Sequence, residues 1–299
     1  MKKQSSARGA EALFGAAMAY ALTGIFVRAV SPMWTDKAQV AVRFSLVFFF
    51  LAIYQLVRKN RAWVPSKQLA PILFGGLLST IMILSFTIAI GKTTIANVLF
   101  VFYAANMITS FLLGTLSLKE QVSRTKLIAL ALAILGLAVY SGSIASGNQG
   151  IILSIVAGIA GGTINLINKQ LTGVDRTAVL ALWFGLVTML SSGWLLLSGD
   201  QILRSASLHL SLLTIVFALV IVVGAYLTLY GFQHFDVNIG SVIMSTELVF
   251  AAVMAYFLFN EVPQAHELAG GAFILLASVI GSGIFDKPKN SLQPIAQPD

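Results

Sequence analysis

The sequence predicts an all-α polytopic membrane protein, ten transmembrane helices built as two inverted five-helix repeats with both termini cytoplasmic. Three observations carry that prediction. The 299 residues are 58% hydrophobic and only 10% charged, with a mean hydropathy of +0.89, whereas soluble domains carry about 25% charged residues. The apolar residues gather into ten runs of roughly span length. An offset of 141 residues then carries Arg28 onto Lys169, Thr87 onto Thr228, Asn97 onto Asn238, Glu120 onto Glu261 and Gly142 onto Gly283 without a gap.

A helix crosses the roughly 30 Å hydrocarbon core in about 20 residues. The runs read as spans near 10–30, 38–56, 69–90, 94–117 and 126–144, then 150–170, 177–197, 209–231, 239–258 and 265–285. They are continuous rather than alternating, which excludes a transmembrane barrel, whose strands alternate over about ten residues. Lys2, Lys3 and Arg8 precede the first run like the basic region of a signal peptide. That run is 21 residues long, however, beyond the apolar core of about 7 to 15 that such peptides have, and it is read as a retained span.

The period is far too long for a solenoid unit and marks a duplicated module. The first repeat covers 10–144 and the second 150–285, joined by the polar turn Ser146 to Gly150 and followed by a cytoplasmic tail over 286–299. Five spans per module is an odd number, so the second module is expected to insert upside down, as in many secondary transporters. Lys and Arg are retained on the cytoplasmic side. With the amino terminus inside, 14 of the 19 Lys and Arg fall in inner segments, four outside (Arg28, Lys37, Lys92 and Arg204) and one, Arg43, within a span.

Charge inside a bilayer costs about 2.5 to 3.5 kcal/mol on insertion scales, which makes each such residue a candidate for function. Glu247 lies eight residues into the ninth run, in Ser245-Thr-Glu-Leu-Val-Phe250, and its repeat counterpart is Asn106. Sites of inverted-repeat carriers form near the midplane where the repeats meet, so this pair is expected in a substrate or coupling site. The bland alternative is a protonated carboxyl bonded between helices. Arg43, about six residues from the outer end of span 2, suits a carboxylate or phosphate or else snorkels outward. Should Arg43 and Glu247 face one cavity, they hold the two charges of a zwitterion such as an amino acid.

Tyr20, Tyr103, Asn165, Trp183, Tyr226 and Tyr230 complete the candidate pocket, because Tyr and Trp combine an apolar ring with a hydrogen-bonding group. Asn97 and Asn238 open spans 4 and 9, where capping is the expected job. Glu120 and Glu261, each just ahead of a fifth or tenth span, are read as structural partners of the next helix dipole. Arg28 and Lys169 end spans 1 and 6 on opposite faces, as interfacial anchors or as symmetric gate residues. Glycines such as Gly75, Gly158, Gly161, Gly162 and Gly270 permit close helix approach in lipid.

Several function classes find no support. With no Cys there is no disulfide or thiolate chemistry, and no HExxH, CxxC or GxxxxGK[ST] motif is present. The net charge of +8 sits in alternate loops rather than in a basic, aromatic-bearing face, which argues against nucleic acid. No cofactor is implied. A membrane-embedded enzyme would need convergent carboxylates or histidines at one face, and a receptor or scaffold a sizeable soluble domain. The sequence supplies neither, and a central carboxylate within an inverted repeat suits alternating access better than a passive channel.

The stretch from Glu247 to Glu261 with the small-residue span after it, its weaker partner from Asn106 to Glu120, and the Arg43-Phe44 pair resemble the EamA-type, ten-span members of the drug/metabolite transporter superfamily. The resemblance covers about residues 10 to 285. It implies alternating-access transport of a small organic metabolite across a bacterial-type inner membrane, often outward and sometimes proton-coupled. An amino acid is the expected substrate, with a nucleoside, vitamin or cationic compound as alternatives. The family commonly has proline after the positions of Glu247 and Asn106; here Leu248 and Met107 stand there, so both helices are expected to be less kinked.

Overall fold

The structure, a computed structural model, describes residues 2–58, 64–93, 95–141, 149–259 and 264–281. The turn residues 146–148, Glu261 and the tail over 286–299 lie outside the described residues.

Twelve helices follow one another among the described residues: α1 (Lys2–Tyr20), α2 (Thr23–Val30), α3 (Asp36–Val57), α4 (Ser66–Ile90), α5 (Ile95–Ser117), α6 (Arg124–Ser141), α7 (Gln149–Gln170), α8 (Arg176–Ser198), α9 (Leu208–His234), α10 (Val237–Met244), α11 (Glu247–Phe259) and α12 (Ala265–Gly281). Local chemistry sets several ends. The Asp175 carboxylate accepts the Ala178 N–H at 2.9 Å and starts α8; Gly199, at φ 64°, supplies the left-handed residue that ends it.

Among the described residues eight helices are long and apolar enough to cross a membrane, with α1–α2 counted as one from Ser6 to Val30 and α10–α11 as one from Val237 to Met254. The helices in expected spans 5 and 10 are not among the eight. α6 has 18 residues and α12 has 17, and both expected spans run on into residues outside the described set. Apolar side chains cover the flanks: Leu197 is 90% exposed and Val57 77%. Such a surface suits lipid as solvent, where helices satisfy their own backbone groups.

The helix pairs observe the 141-residue offset. α4 packs on α7 as α9 packs on α1, α4 on α8 as α9 on α3, and α5 on α7 as α10 and α11 pack on α1; α3–α8 and α6–α12 pair equivalent helices with each other. Two large apolar cores result among the described residues, beside a small cluster of Ala38, Ala41 and Leu195. One joins α3, α4, α7, α8 and α9, the other α1, α5, α6, α10 and α12. Each core mixes helices of both halves, and the main cavity lies where the two cores meet.

Two helices are broken where the sequence predicted continuous spans. Turns interrupt the first at Ala21–Leu22 and the ninth at Ser245–Thr246. The second break has a cause. Ser245 and Thr246 turn their hydroxyls back onto the carbonyls of Val242 and Ile243, both at 2.7 Å, and Ser278 of α12 donates to the Val242 carbonyl at 3.1 Å. Side chains thus take the acceptors that the helix ladder would use. The expectation of a less kinked helix holds for α5, which is unbroken through Asn106, and fails for the ninth span, where hydroxyls do what proline does elsewhere.

Candidate functional site

A cavity of about 180 Å³ lies between α1–α2, α3, α4, α5, α7, α8, α9, α10 and α11. Its walls are mainly apolar and aromatic, from Phe44, Met82, Phe86, Phe102, Trp183 and Phe184. Such walls with a few placed polar groups are the usual make-up of a small-molecule site.

Glu247 is the first residue of α11, immediately after the break, and is 6% exposed. Tyr103 of α5 donates its hydroxyl to the Glu247 carboxylate. Tyr20, last residue of α1, is bonded to Thr228 and close enough to Glu247 to interact with it electrostatically. Both helix breaks therefore border the same carboxylate. The ring of Tyr20 lies on Gly224, where an added Cβ would come within 2.8 Å of it.

Arg43 is 3% exposed. Its Nη2 donates to Thr87 Oγ1 at 3.3 Å, and the guanidinium lies over Phe217 at 4.5 Å and Phe44 at 5.0 Å. Its Nε and Nη1 have no partner. Three salt bridges form among the described residues, and none includes Arg43 or Glu247. The cavity thus holds one acidic and one basic side chain that do not pair with each other. Leaving buried donors unmade costs about 1 to 3 kcal/mol each, which is offset when a ligand supplies the acceptor.

A neutral polar cluster completes the lining. Asn165 Nδ2 donates to Asn106 Oδ1 and to Ser110 Oγ, both at 3.1 Å. Asn168, one turn on, is 2% exposed with its Oδ1 unpartnered. Close approach of α7 to α5 makes the cluster possible: a Cβ at Gly158 would lie 2.5 Å from the Phe102 carbonyl oxygen, and one at Gly162 2.6 Å from Thr109 Cβ. Among the described residues no group of three or more His, Asp or Glu is placed to hold a metal ion.

Of the residues singled out from sequence, Glu247, Arg43, Asn106, Tyr20, Tyr103, Asn165 and Trp183 all line this cavity. Trp183 serves as wall, since its Nε1 is already donated to the Ile72 carbonyl at 2.7 Å. Tyr226 and Tyr230 are not brought there. They face away along α9, where the Arg176 guanidinium lies over their rings at 5.9 and 4.7 Å and Tyr230 stacks on His234. Sequence reasoning did not place Thr87 and Thr228 in the site, although their matching repeat positions were a usable signal. Phe86 and Phe102 carry no such mark.

Polar ties close one end of the bundle, the basic end. Arg58 pairs with Asp175, which Gln55 also contacts at 3.2 Å. Gln68 donates to the Thr172 carbonyl at 2.9 Å, Arg176 to Gln233 at 2.6 Å and Lys169 to the Phe235 carbonyl at 2.8 Å. Glu120 accepts the N–H groups of Val237 and Asn238 at 2.8 and 3.0 Å. It therefore serves α10 in the other half, not the next helix α6 as the sequence suggested. Burial raises the Glu120 carboxyl above its ordinary range; the two N–H donors and Lys126 pull it back, and Asp236 adds to the rise.

The far end is tied through equivalent loops. Lys37 pairs with Asp200 at 2.6 Å, Thr35 bonds the Gln201 carbonyl at 3.0 Å, and Arg204 bonds those of Met33 and Ser31. The ends differ beside the cavity. α1 packs on α10 at the basic end, while α2 and α11 make no comparable contact, and Arg28, counterpart of Lys169, is exposed.

The EamA-like transporter family is matched twice along the chain, over residues 7–142 and again over 148–282. The chain belongs to the EamA-like transporter family. Its fold is therefore that of a multi-pass membrane transporter of the drug/metabolite superfamily, made of two EamA repeats. One solved structure, described only as a crystal structure of protein, shares the fold at a TM-score of 0.75 with 13% identity, covering 91% of this EamA-like chain and 95% of the other. Among curated proteins none matches.

Proposed function

We propose that this EamA-like protein is a secondary transporter that carries an amino acid outward across the inner membrane by alternating access. The observation behind this reading is that Arg43 and Glu247 line one cavity among aromatic walls, neither of them in an ion pair among the described residues. Arg43 is assigned the carboxylate of the solute, and Glu247 its amine or a coupling proton. The walls favour an apolar side chain.

The proposed topology has ten spans in two inverted repeats with both termini cytoplasmic. Supporting it are the exchange of helix pairs under the 141-residue offset and the mutual pairing of α6 and α12, which occupy equivalent places. The concentration of Arg58, Lys126, Lys169 and Arg176 at the basic end supports a cytoplasmic position for it under the positive-inside rule. The cavity is then shut inside and less closed outside, an outward-facing form.

Counterflow tests this. Proteoliposomes preloaded with unlabelled amino acids are expected to accumulate labelled apolar ones. No accumulation of any amino acid by folded protein would overturn the zwitterion reading and redirect the search to nucleosides, vitamins and organic cations. Accumulation unaffected by Arg43→Gln would favour a cation held by Glu247 alone.

A further inference from the structure

The short helix α10 is held at its start mainly by groups of the other half. All eight of its residues are buried. Its own capping residue, Asp236, makes no cap hydrogen bond although Asp is a preferred cap. Asp236 is diverted to Lys126 Nζ of α6 at 2.7 Å, and Lys126 also donates to the Gln121 carbonyl at 2.8 Å. Glu120, in the loop between α5 and α6, takes over the capping of Val237 and Asn238. Lys169 of α7 holds the preceding carbonyl, that of Phe235. Gly114 makes room, since a Cβ there would lie 2.8 Å from Glu120 Oε2 and 3.3 Å from the Asn238 nitrogen.

At its other end α10 stops at the hydroxyl-made break, and Glu247 follows at once. The helix is thus clamped at the basic end and jointed at the cavity. The polar groups that clamp it come from the α5–α6 loop, α6 and α7.

We propose that Glu120 is a positioning residue: its carboxylate latches α10 to the first half, keeping the basic end shut and Glu247 in place, and this latch opens in each transport cycle. The proposal rests on the transport reading of the cavity. A helix start carries about half a positive charge, which a carboxylate offsets. When Glu120 swings away, the start of α10 keeps only the contacts of Lys126 and Lys169, so α10 pivots more readily about Ser245 and Thr246 and the cavity gains access to the basic end.

The chain has no cysteine, so one introduced thiol reports accessibility without background. Asn168→Cys places it in the cavity toward the basic end, and Thr23→Cys toward the far side. Each is combined with Glu120→Ala, Glu120→Gln and Gly114→Ala, and labelling by a membrane-impermeant maleimide is timed from each face of oriented vesicles. Loss of charge-assisted hydrogen bonds is expected to speed labelling of Asn168→Cys from the basic face by roughly tenfold or more, with labelling of Thr23→Cys from the far face unchanged or slower.

Unchanged basic-face labelling in both Glu120→Gln and Gly114→Ala overturns the latch. Equal acceleration from both faces also overturns it, since general loosening opens both. Should Glu120→Ala fail to fold, the other two variants decide. Labelling is read without substrate, so a counterflow failure for amino acids overturns the substrate reading and leaves the latch judged separately.

Discussion

Helix α5 and the α10–α11 pair occupy the same place in the two repeats, yet they do different work. α5 runs unbroken past Asn106, whose amide is spent on Asn165 and Ser110. Its counterpart breaks at Ser245 and Thr246 and presents Glu247 at a helix start beside the cavity. Duplication supplied the frame, and divergence at a few positions placed the charge. Arg43 tells the same story in the other direction, for its repeat counterpart is Phe184, which lines the same cavity as an apolar wall. One half supplies the basic side chain and the other the acidic one.

The sharpest way to break this comparison is to remove its charge. Glu247→Gln keeps the size of the side chain and an acceptor for the Tyr103 hydroxyl, so the protein should insert and fold. Coupled transport is expected to be abolished, measured as counterflow with and without an imposed proton gradient. Wild-type rates in the variant would end the assignment. The reciprocal change Asn106→Glu is expected not to restore transport, because Asn106 is engaged with Asn165 and Ser110 rather than freed at a helix start.

Arg43→Gln is the next largest. A hydrogen bond to a charged group contributes about 1.5 to 3 kcal/mol, so affinity for the carboxylate substrate should fall roughly 10- to 100-fold. The discriminating measurement is competition by the corresponding amide. Wild type should prefer the acid, and the variant should not; an unchanged preference would contradict the contact.

Much of this was legible in the sequence because lipid makes charge expensive. A solitary Glu or Arg in an apolar run is marked by cost alone, and that cost singles out Glu247 and Arg43, both of which line the cavity. Tyr226 and Tyr230 show the limit of that logic. Tyrosine is tolerated in the pocket and at the interface alike, so nothing in the residue type told that α9 turns these two toward Arg176. The aromatic walls were invisible for a related reason: Phe86 and Phe102 face the cavity while Phe48 and Phe49 are exposed on the flank, and all four are simply apolar. The repeat period shows which helices are equivalent, while which of them pack together is visible only in the structure. The break in the ninth span required knowing that Ser245 and Thr246 would bond backward, which their type permits without compelling.

That break offers a smaller test. In Ser245→Ala with Thr246→Ala the Ile243 carbonyl loses its side-chain partner and the Val242 carbonyl keeps only the one from Ser278, so the ladder is freer to close as in α5. Each such bond contributes about 1 kcal/mol, which corresponds to roughly a fivefold change in a two-state balance. Exchange rate is expected to fall several-fold while substrate affinity stays near wild type. A loss of affinity with normal exchange would instead mean that the hydroxyls serve the site and not the joint.

The smallest effect concerns the ties at the two ends, which are equivalent in position but unequal in chemistry. At the far end Lys37 and Asp200 are partly exposed, and such pairs contribute little. At the basic end Asp175 is both the cap of α8 and the partner of Arg58. Partial burial pushes its carboxyl up, but the bonds from Thr177, the Ala178 N–H, Arg58 and Gln55 outweigh that and hold it down to about 2. A carboxyl held low in the folded state contributes stability that is complete above its ordinary value near 3.8 and is lost as pH falls toward about 2. Asp175→Ala should cost about 1 kcal/mol as a lost cap and flatten thermal stability across that acid window, measured in detergent. Asp200→Ala should change it little at neutral pH. Equal losses from the two substitutions would show that the ends are held alike, and that the asymmetry of the bundle lies wholly beside the cavity, between α10 at one end and α2 and α11 at the other.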